Sequence, residues 1–273
     1  MLLSRLRKPV DTLAPSVGLL YRSLRDVSVG HQRRQTKYGF TLAGSTIMAS
    51  EDYEPDEVQS FLDLLETHET VLDIGANVGF YSCLASSRGR HVVSFEPSPR
   101  NLHFLYENLW ENKFRDAEVF PLGLAKRPGL NCLYGFGGIA SFVRGWAQAD
   151  AERFTLVPVT SLDTIIADRF EGQRLLIKLD VEGFELDVLG GAEKTLQRTP
   201  RPTWLVEVLL DGEVIPDGVN ARFGQVFEIF WKHGYQCMAL NGGKDLVRPA
   251  DVSRWVADGS VSSDTHNFLF SCP

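Results

Sequence analysis

Cysteine is scarce in this 273-residue chain: Cys83, Cys132, Cys237 and Cys272 stand far apart, and none forms a Cys-x-x-Cys pair. That spacing gives no support to a structural zinc centre, and widely separated thiols suit a reducing, cytoplasmic compartment. No apolar run approaches the ~18 residues that span a bilayer. The start, Met1-Leu2-Leu3-Ser4-Arg5, has neither the apolar core nor the small-residue cleavage site of a secretory signal. There is no Gly-X-Y period, heptad run or longer repeat, which excludes fibres, coiled coils and solenoids. A Gly-x-Gly-x-x-Gly turn is also missing, which speaks against a nicotinamide-dependent dehydrogenase.

What is present is an ordinary globular composition, 44% hydrophobic and 23% charged, which excludes global disorder. The length fits one domain of about 200–250 residues with extensions. The net charge of −7 is uneven. Residues 1–50 hold eight Lys/Arg against Asp11 and Asp26, a net +6, which leaves −13 for the remainder. The acidic body argues against nucleic acid as a partner. The division expected is an accessory segment at 1–50, read as a solvated basic extension, and an enzyme domain at 51–273.

Leu13, Val17, Leu20 and Leu24 have the spacing of a short amphipathic helix, and residues 37–42 read as a short strand. Glu54-Pro55-Asp56-Glu57, followed by Val58, Phe61, Leu62 and Leu65, predicts a helix with acids in its first turn. From residue 70 strands and helices alternate. Strands are predicted at 71–74, 92–95, 117–121, 175–179 and 204–208, and helices at 99–112, 185–197 and 223–233. Ser98 is placed to cap the first of these helices, and Pro99 suits its first position. The alternation gives right-handed βαβ units and a mostly parallel sheet. Residues 235–240 and 267–271 read as two final strands, arranged as a hairpin at one sheet edge. A β-rich insertion at 123–160 interrupts the pattern. Its Phe136, Phe142 and Trp146 either line a pocket or anchor a long loop.

Three stretches carry chemistry. Val71-Leu72-Asp73-Ile74-Gly75-Ala76-Asn77-Val78-Gly79 is a strand–turn–helix junction whose glycines let backbone approach a ligand closely. Asp73 would repel a pyrophosphate and suits a cationic or amino-bearing ligand. Glu96 follows Gly79 by seventeen residues, at the end of the next strand, where an acid can accept bonds from two ribose hydroxyls. S-adenosylmethionine has the matching groups: a ribose, a sulfonium and an amino-acid tail. In the third stretch, Leu176 to Glu185, three carboxylates follow a buried strand. Asp180 or Glu182 can serve as general base for a hydroxyl. Two such carboxylates, joined by Glu207, can alternatively hold a divalent cation such as Mg²⁺.

These residues resemble the FkbM family of S-adenosylmethionine-dependent methyltransferases. The resemblance runs through Val71 to Gly79, Phe95-Glu96-Pro97-Ser98, Val157 to Asp163, Ile177 to Glu185 with Val188-Leu189-Gly190-Gly191-Ala192, and Asn267-Phe268-Leu269-Phe270. It implies an α/β, Rossmann-like class I fold: a mostly parallel seven-stranded sheet with an antiparallel last strand, plus the N-terminal extension and the insertion. It implies S-adenosyl-L-methionine as cofactor and methyl transfer to a hydroxyl oxygen of a sugar, glycan or secondary metabolite. By the family pattern Asp73, Gly75, Asn77 and Gly79 surround the methionine end of the cofactor. Glu96 holds the ribose, with Pro97, Ser98 and Asn101 beside it. One departure stands out: Gly123 occupies a place where relatives often carry Asn, so a polar contact to adenine is lost or made by backbone.

Asp180 is the first candidate base and Glu182 the second, with His266 and His233 behind them. No metal site is assigned. Acceptor contacts are expected from residues 1–50, 136–146 with Arg144, 211–224 with Arg222, and 242–264. The rival function is a non-catalytic, cofactor-binding scaffold of a biosynthetic pathway.

Overall fold

The computed structural model describes residues 32–210, 215, 218–241, 245–262 and 265–272. The helix expected around Leu13 to Leu24 lies outside them. The chain opens with a two-residue pair, β1 (Arg34–Gln35) and β2 (Thr41–Leu42). The strand expected over 37–42 is thus confined to its last two residues, because a turn around Gly39 folds the chain back to make this pair. Helix α1 (Pro55–Leu65) follows, then β3 (Thr70–Ile74), α2 (Phe80–Ser87), β4 (His91–Phe95), α3 (Pro99–Glu111) and β5 (Glu118–Phe120). The insertion supplies β6 (Gly123–Leu124), β7 (Gly129–Tyr134) and β8 (Phe154–Thr160). Next come α4 (Leu162–Ile166), β9 (Leu175–Leu179), α5 (Glu185–Leu189), α6 (Glu193–Leu196) and β10 (Thr203–Glu207). The chain closes with α7 (Phe223–Lys232), β11 (Gln236–Ala239), β12 (Asp245–Val247), α8 (Pro249–Asp258) and β13 (Asn267–Ser271).

The main sheet runs β12-β11-β13-β10-β9-β3-β4-β5. β3, β4, β5, β9 and β10 are parallel, and β13 is antiparallel to both neighbours. The seven expected strands are present with the last one antiparallel; β12 adds an eighth at the edge. The edge hairpin joins β11 to β12, and β13 arrives from beyond α8 to insert between β11 and β10. β3 and β9 are buried at every residue, which is why they read as unbroken apolar runs. One sheet face packs Leu72, Ile177 and Val206 against α5 and the phenylalanines of α7. The other packs Val71, Leu176 and Leu205 against α1, α2 and α3. Phe40, Leu42 and Ala43 join that second core.

The single helix expected over 185–197 is two. A Cβ on Gly191 would lie 2.3 Å from the Ala125 carbonyl oxygen, so backbone crosses backbone there and the helix stops. Asp163 restarts it, its carboxylate accepting the backbone N–H groups of Lys194 and Thr195 at 2.9 and 2.8 Å. An acid at a helix N-terminus satisfies donors that have no partner within the helix. The insertion forms its own sheet, β6-β8-β7. Among the described residues no helix is long and apolar enough to cross a membrane.

Candidate active site

An open cavity lies where β3, β4, β9 and β10 end. Of the residues singled out in the sequence, Gly75, Asn77, Glu96, Pro97, Asn101, Asp180 and Glu182 line it. Asp73, Gly79 and Ser98 do not.

The turn after β3 is set by its neighbours. Gly75 and Ala76 donate their N–H groups to the Phe95 carbonyl, and Asp180 N–H donates to the Ile74 carbonyl at 3.0 Å. Gly75 has φ +85°, and a Cβ there would lie 1.8 Å from the Asp180 carbonyl oxygen. Only glycine fits both the angle and the space. Gly79, at φ +88°, serves packing instead: its missing Cβ leaves room for Leu105. Asp73 faces inward, accepting the Ser82 hydroxyl, and burial lifts its carboxyl to about 6. Asn108 was not marked by the sequence. Its amide accepts Ala43 N–H and donates to the carbonyls of Ala43 and Val78, fixing the N-terminal segment to the glycine turn.

Glu96 accepts Asn77 N–H at 2.8 Å on one oxygen and Ser98 N–H at 2.7 Å on the other. Burial outweighs these bonds and pushes its carboxyl up to about 7. Ser98 is the N-cap residue of α3, but its side chain makes no capping bond. Asn101 donates to the Gly137 carbonyl at 3.1 Å, while its Oδ1 is buried with no hydrogen-bond partner. Gly123 also lines the cavity. A Cβ there would lie 2.5 Å from the Phe142 ring, so an aromatic edge fills the place of any side chain.

The acids after β9 are joined by others. Lys178 is buried, with its ammonium 3.0 Å from Asp180 and 3.1 Å from Glu57 and 4.6 Å from the Tyr81 ring centroid. Burial pulls that ammonium down, yet Asp180 and Glu57 outweigh it and hold its pKa well above the ordinary lysine value. Glu54 and Glu207 line the cavity, and each offers an oxygen within 4.8 Å of the other and of Glu57. Glu207 is raised by the Asp180 charge and then by burial. Burial, then Glu57, lifts Glu54 to about 7. Glu182 sits at φ +53°. Burial, then Asp180, lifts its carboxyl to about 8. Trp146 Nε1 donates to its Oε2 at 2.7 Å, and the Ser141 hydroxyl donates to its carbonyl at 2.6 Å.

Glu54 and Glu57 therefore belong to the site region, although their sequence pattern is that of an acidic first helix turn. Glu57 stands one residue from the apolar Val58, and its burial is the only sign that it faces inward. Trp146 anchors and Phe142 lines the cavity, whereas Phe136 is exposed. Neither His233 nor His266 lines the cavity. His233 packs beside Ile229 and Glu193. Arg144 pairs with Glu152, and Arg222 with Asp187, outside the cavity lining.

Parallel strands in this order, an antiparallel last strand and a cavity at the carboxyl ends define a class I, Rossmann-like methyltransferase fold. The chain belongs to the FkbM methyltransferase family, whose domain matches residues 73–237. A relative, hexuronic acid methyltransferase AglP of Haloferax volcanii, is 29% identical over 148 residues, 53% of this chain and 58% of that protein. The match thus spans little more than half of that relative's length. Among solved structures, precorrin-6y C5,15-methyltransferase of Geobacter metallireducens covers 85% of this chain and 94% of its own, at 13% identity and TM-score 0.41. The ribosomal protein L11 methylase of Lactobacillus delbrueckii covers 82% and 80%, at 10% identity and TM-score 0.44.

Proposed function

We propose that the chain is an S-adenosylmethionine-dependent O-methyltransferase acting on a hydroxyl of a sugar or glycan. The observation that carries this is one cavity combining a glycine turn, a buried ribose-type acid and a pair of carboxylates. The residues fit the cofactor. Gly75 opens the turn where a Cβ would block it, and the buried Asn101 Oδ1 awaits a donor. Gly75, Asn77, Glu96, Pro97 and Asn101 would hold the cofactor, with Asp73, Gly79 and Ser98 supporting them from behind. Bound there, S-adenosylmethionine supplies an electrophilic methyl on a sulfonium.

The chain's own work is to hold an acceptor hydroxyl in line with that methyl and to take its proton. Asp180 is the first base candidate, and the Lys178 ammonium at 3.0 Å fixes its side chain. Glu182, raised to about 8, is the second, since a base works best near the working pH. A glycan acceptor is supported by the relative named as a hexuronic acid methyltransferase.

Calorimetry with S-adenosylhomocysteine, with and without Mg²⁺, tests this reading. Micromolar binding is expected. A gain with Mg²⁺ would turn the carboxylates from base to metal ligands. No binding in either condition would overturn methyl transfer and the cofactor-binding scaffold alike.

A further inference from the structure

Another cavity lies at the opposite end of the sheet, where β4 and β5 begin. Its wall comes from the end of α2, from Gly89, Arg90 and His91, and from residues 113–117 between α3 and β5. Strand β4 has five residues, from His91 to Phe95, and Glu96 follows. At ~3.3 Å per residue, about 16 Å separates His91 from Glu96 in the candidate active site.

The lining carries three cations, Arg90, Lys113 and Arg115, against one acid, Asp116. His91 also lines it but is hydrogen-bonded to Glu118 at 2.9 Å. Among the described residues no carboxylate forms an ion pair with Arg90, Lys113 or Arg115. Arg90 is half-buried: its Nε is out of water with no partner, and its terminal nitrogens make no hydrogen bond among the described residues. Arg115 lies over the Trp110 ring, 3.3 Å from its centroid. Stacking uses the face of a guanidinium and leaves its N–H edge for an acceptor. Lys113 has φ +65°. It follows the α3 cap, where the N–H groups of Phe114 and Lys113 close the helix on the carbonyls of Leu109 and Trp110. Glycine is the usual residue at that left-handed position. A lysine there costs backbone strain and adds a charge to the cavity wall.

Three cations around one concavity repel each other, and a bound anion relieves that repulsion. A phosphate has more oxygens than a carboxylate to share among two guanidinium edges and an ammonium. We propose that this cavity is a phosphate site, separate from the candidate active site, through which the protein holds a phosphorylated ligand. The proposal does not depend on the methyl-transfer reading.

Phosphorus NMR titration with inorganic phosphate tests it, at about 50 mM NaCl so that screening stays weak. A dissociation constant below about 5 mM is expected. Arg90→Gln should weaken binding at least about fivefold. Lys113→Gly should do the same, and glycine suits the left-handed backbone, so this variant keeps the fold. Thermal melts confirm that both variants are folded. Sedimentation with phosphatidylcholine vesicles containing phosphatidylglycerol separates the sources of phosphate. Pelleting that inorganic phosphate competes away and Lys113→Gly abolishes assigns the site to a lipid headgroup. Phosphate binding without such pelleting assigns it to a soluble phosphorylated ligand. No phosphate binding up to about 50 mM, binding unchanged in both folded variants, or equal displacement by acetate would overturn the proposal.

Discussion

Trp146 donates its indole N–H to Glu182 Oε2 across 2.7 Å and lies against Gly183, where a Cβ would come within 2.5 Å of its ring. This contact ties the β-rich insertion to the loop after β9, so the cavity wall and a candidate base are fixed by one side chain. Trp146→Phe keeps much of the ring and removes the donor. The expected cost is about 1–2 kcal/mol, read by thermal unfolding. Because the bond lowers the Glu182 pKa, its loss should raise that value above about 8, measured by carboxyl-carbon NMR. An unmoved titration would mean that the bond does not act on Glu182.

The stability of the protein should decline from acid to neutral pH. Glu54 and Glu96 at about 7, Glu182 at about 8 and Glu185 at about 7 are all raised, chiefly by burial. The folded state therefore keeps these protons to higher pH than the unfolded chain. The contribution is complete below about pH 4.5 and is lost as pH rises through 7 to 8. Melting temperatures from pH 5 to 8.5 should fall accordingly, and Glu182→Gln should flatten the curve. A curve that rises over this range would contradict the burial argument.

Lys178 holds two carboxylates, those of Asp180 and Glu57, that pair with no other cation among the described residues. Lys178→Met should destabilise the fold by about 3–5 kcal/mol, since it leaves buried charge uncompensated. The double variant Lys178→Met, Glu57→Gln should recover part of this. Denaturant unfolding of both measures the difference, and equal loss in the two variants would argue that packing of Lys178, not its charge, is what matters.

Gly75→Ala combines a left-handed backbone angle with a Cβ 1.8 Å from a carbonyl oxygen. The turn must open, at a cost above about 2 kcal/mol. S-adenosylhomocysteine affinity should drop by at least about tenfold. Gly89→Ala has a similar angle, +71°, but nothing within 4 Å, so it controls for strain alone.

Asp180→Asn should reduce turnover far more than S-adenosylhomocysteine affinity once an acceptor is in hand. An equal loss of both would remove Asp180 from the role of base and make it part of cofactor binding.

Much of the architecture is written locally. Apolar runs ended by glycine or acid mark β3, β4 and β9, and Glu54 to Leu65 carries its helix period. The turn at Gly75, the acid at Glu96 and the pair Asp180 and Glu182 are contiguous with those strands, so their placement at the carboxyl ends follows from strand polarity. The division of α5 from α6 is different. It depends on Ala125 crossing at Gly191 and on Asp163 reaching Lys194, contacts between segments far apart in the chain.

The same holds for what surrounds the site. Sequence by itself determined the alternation of elements, the parallel sheet and the acids at its strand ends, because hydrophobic period and glycine position act over a few residues. Tertiary contacts alone turn Asp73 inward to Ser82, bring Glu54 to the cavity, set Glu57 against Lys178 beneath it and place Trp146 on Glu182. Those outcomes depend on burial and charge balance among residues separated by nine positions for Asp73 and Ser82 and by 36 for Trp146 and Glu182, where no local pattern distinguishes a solvated acid from a buried one.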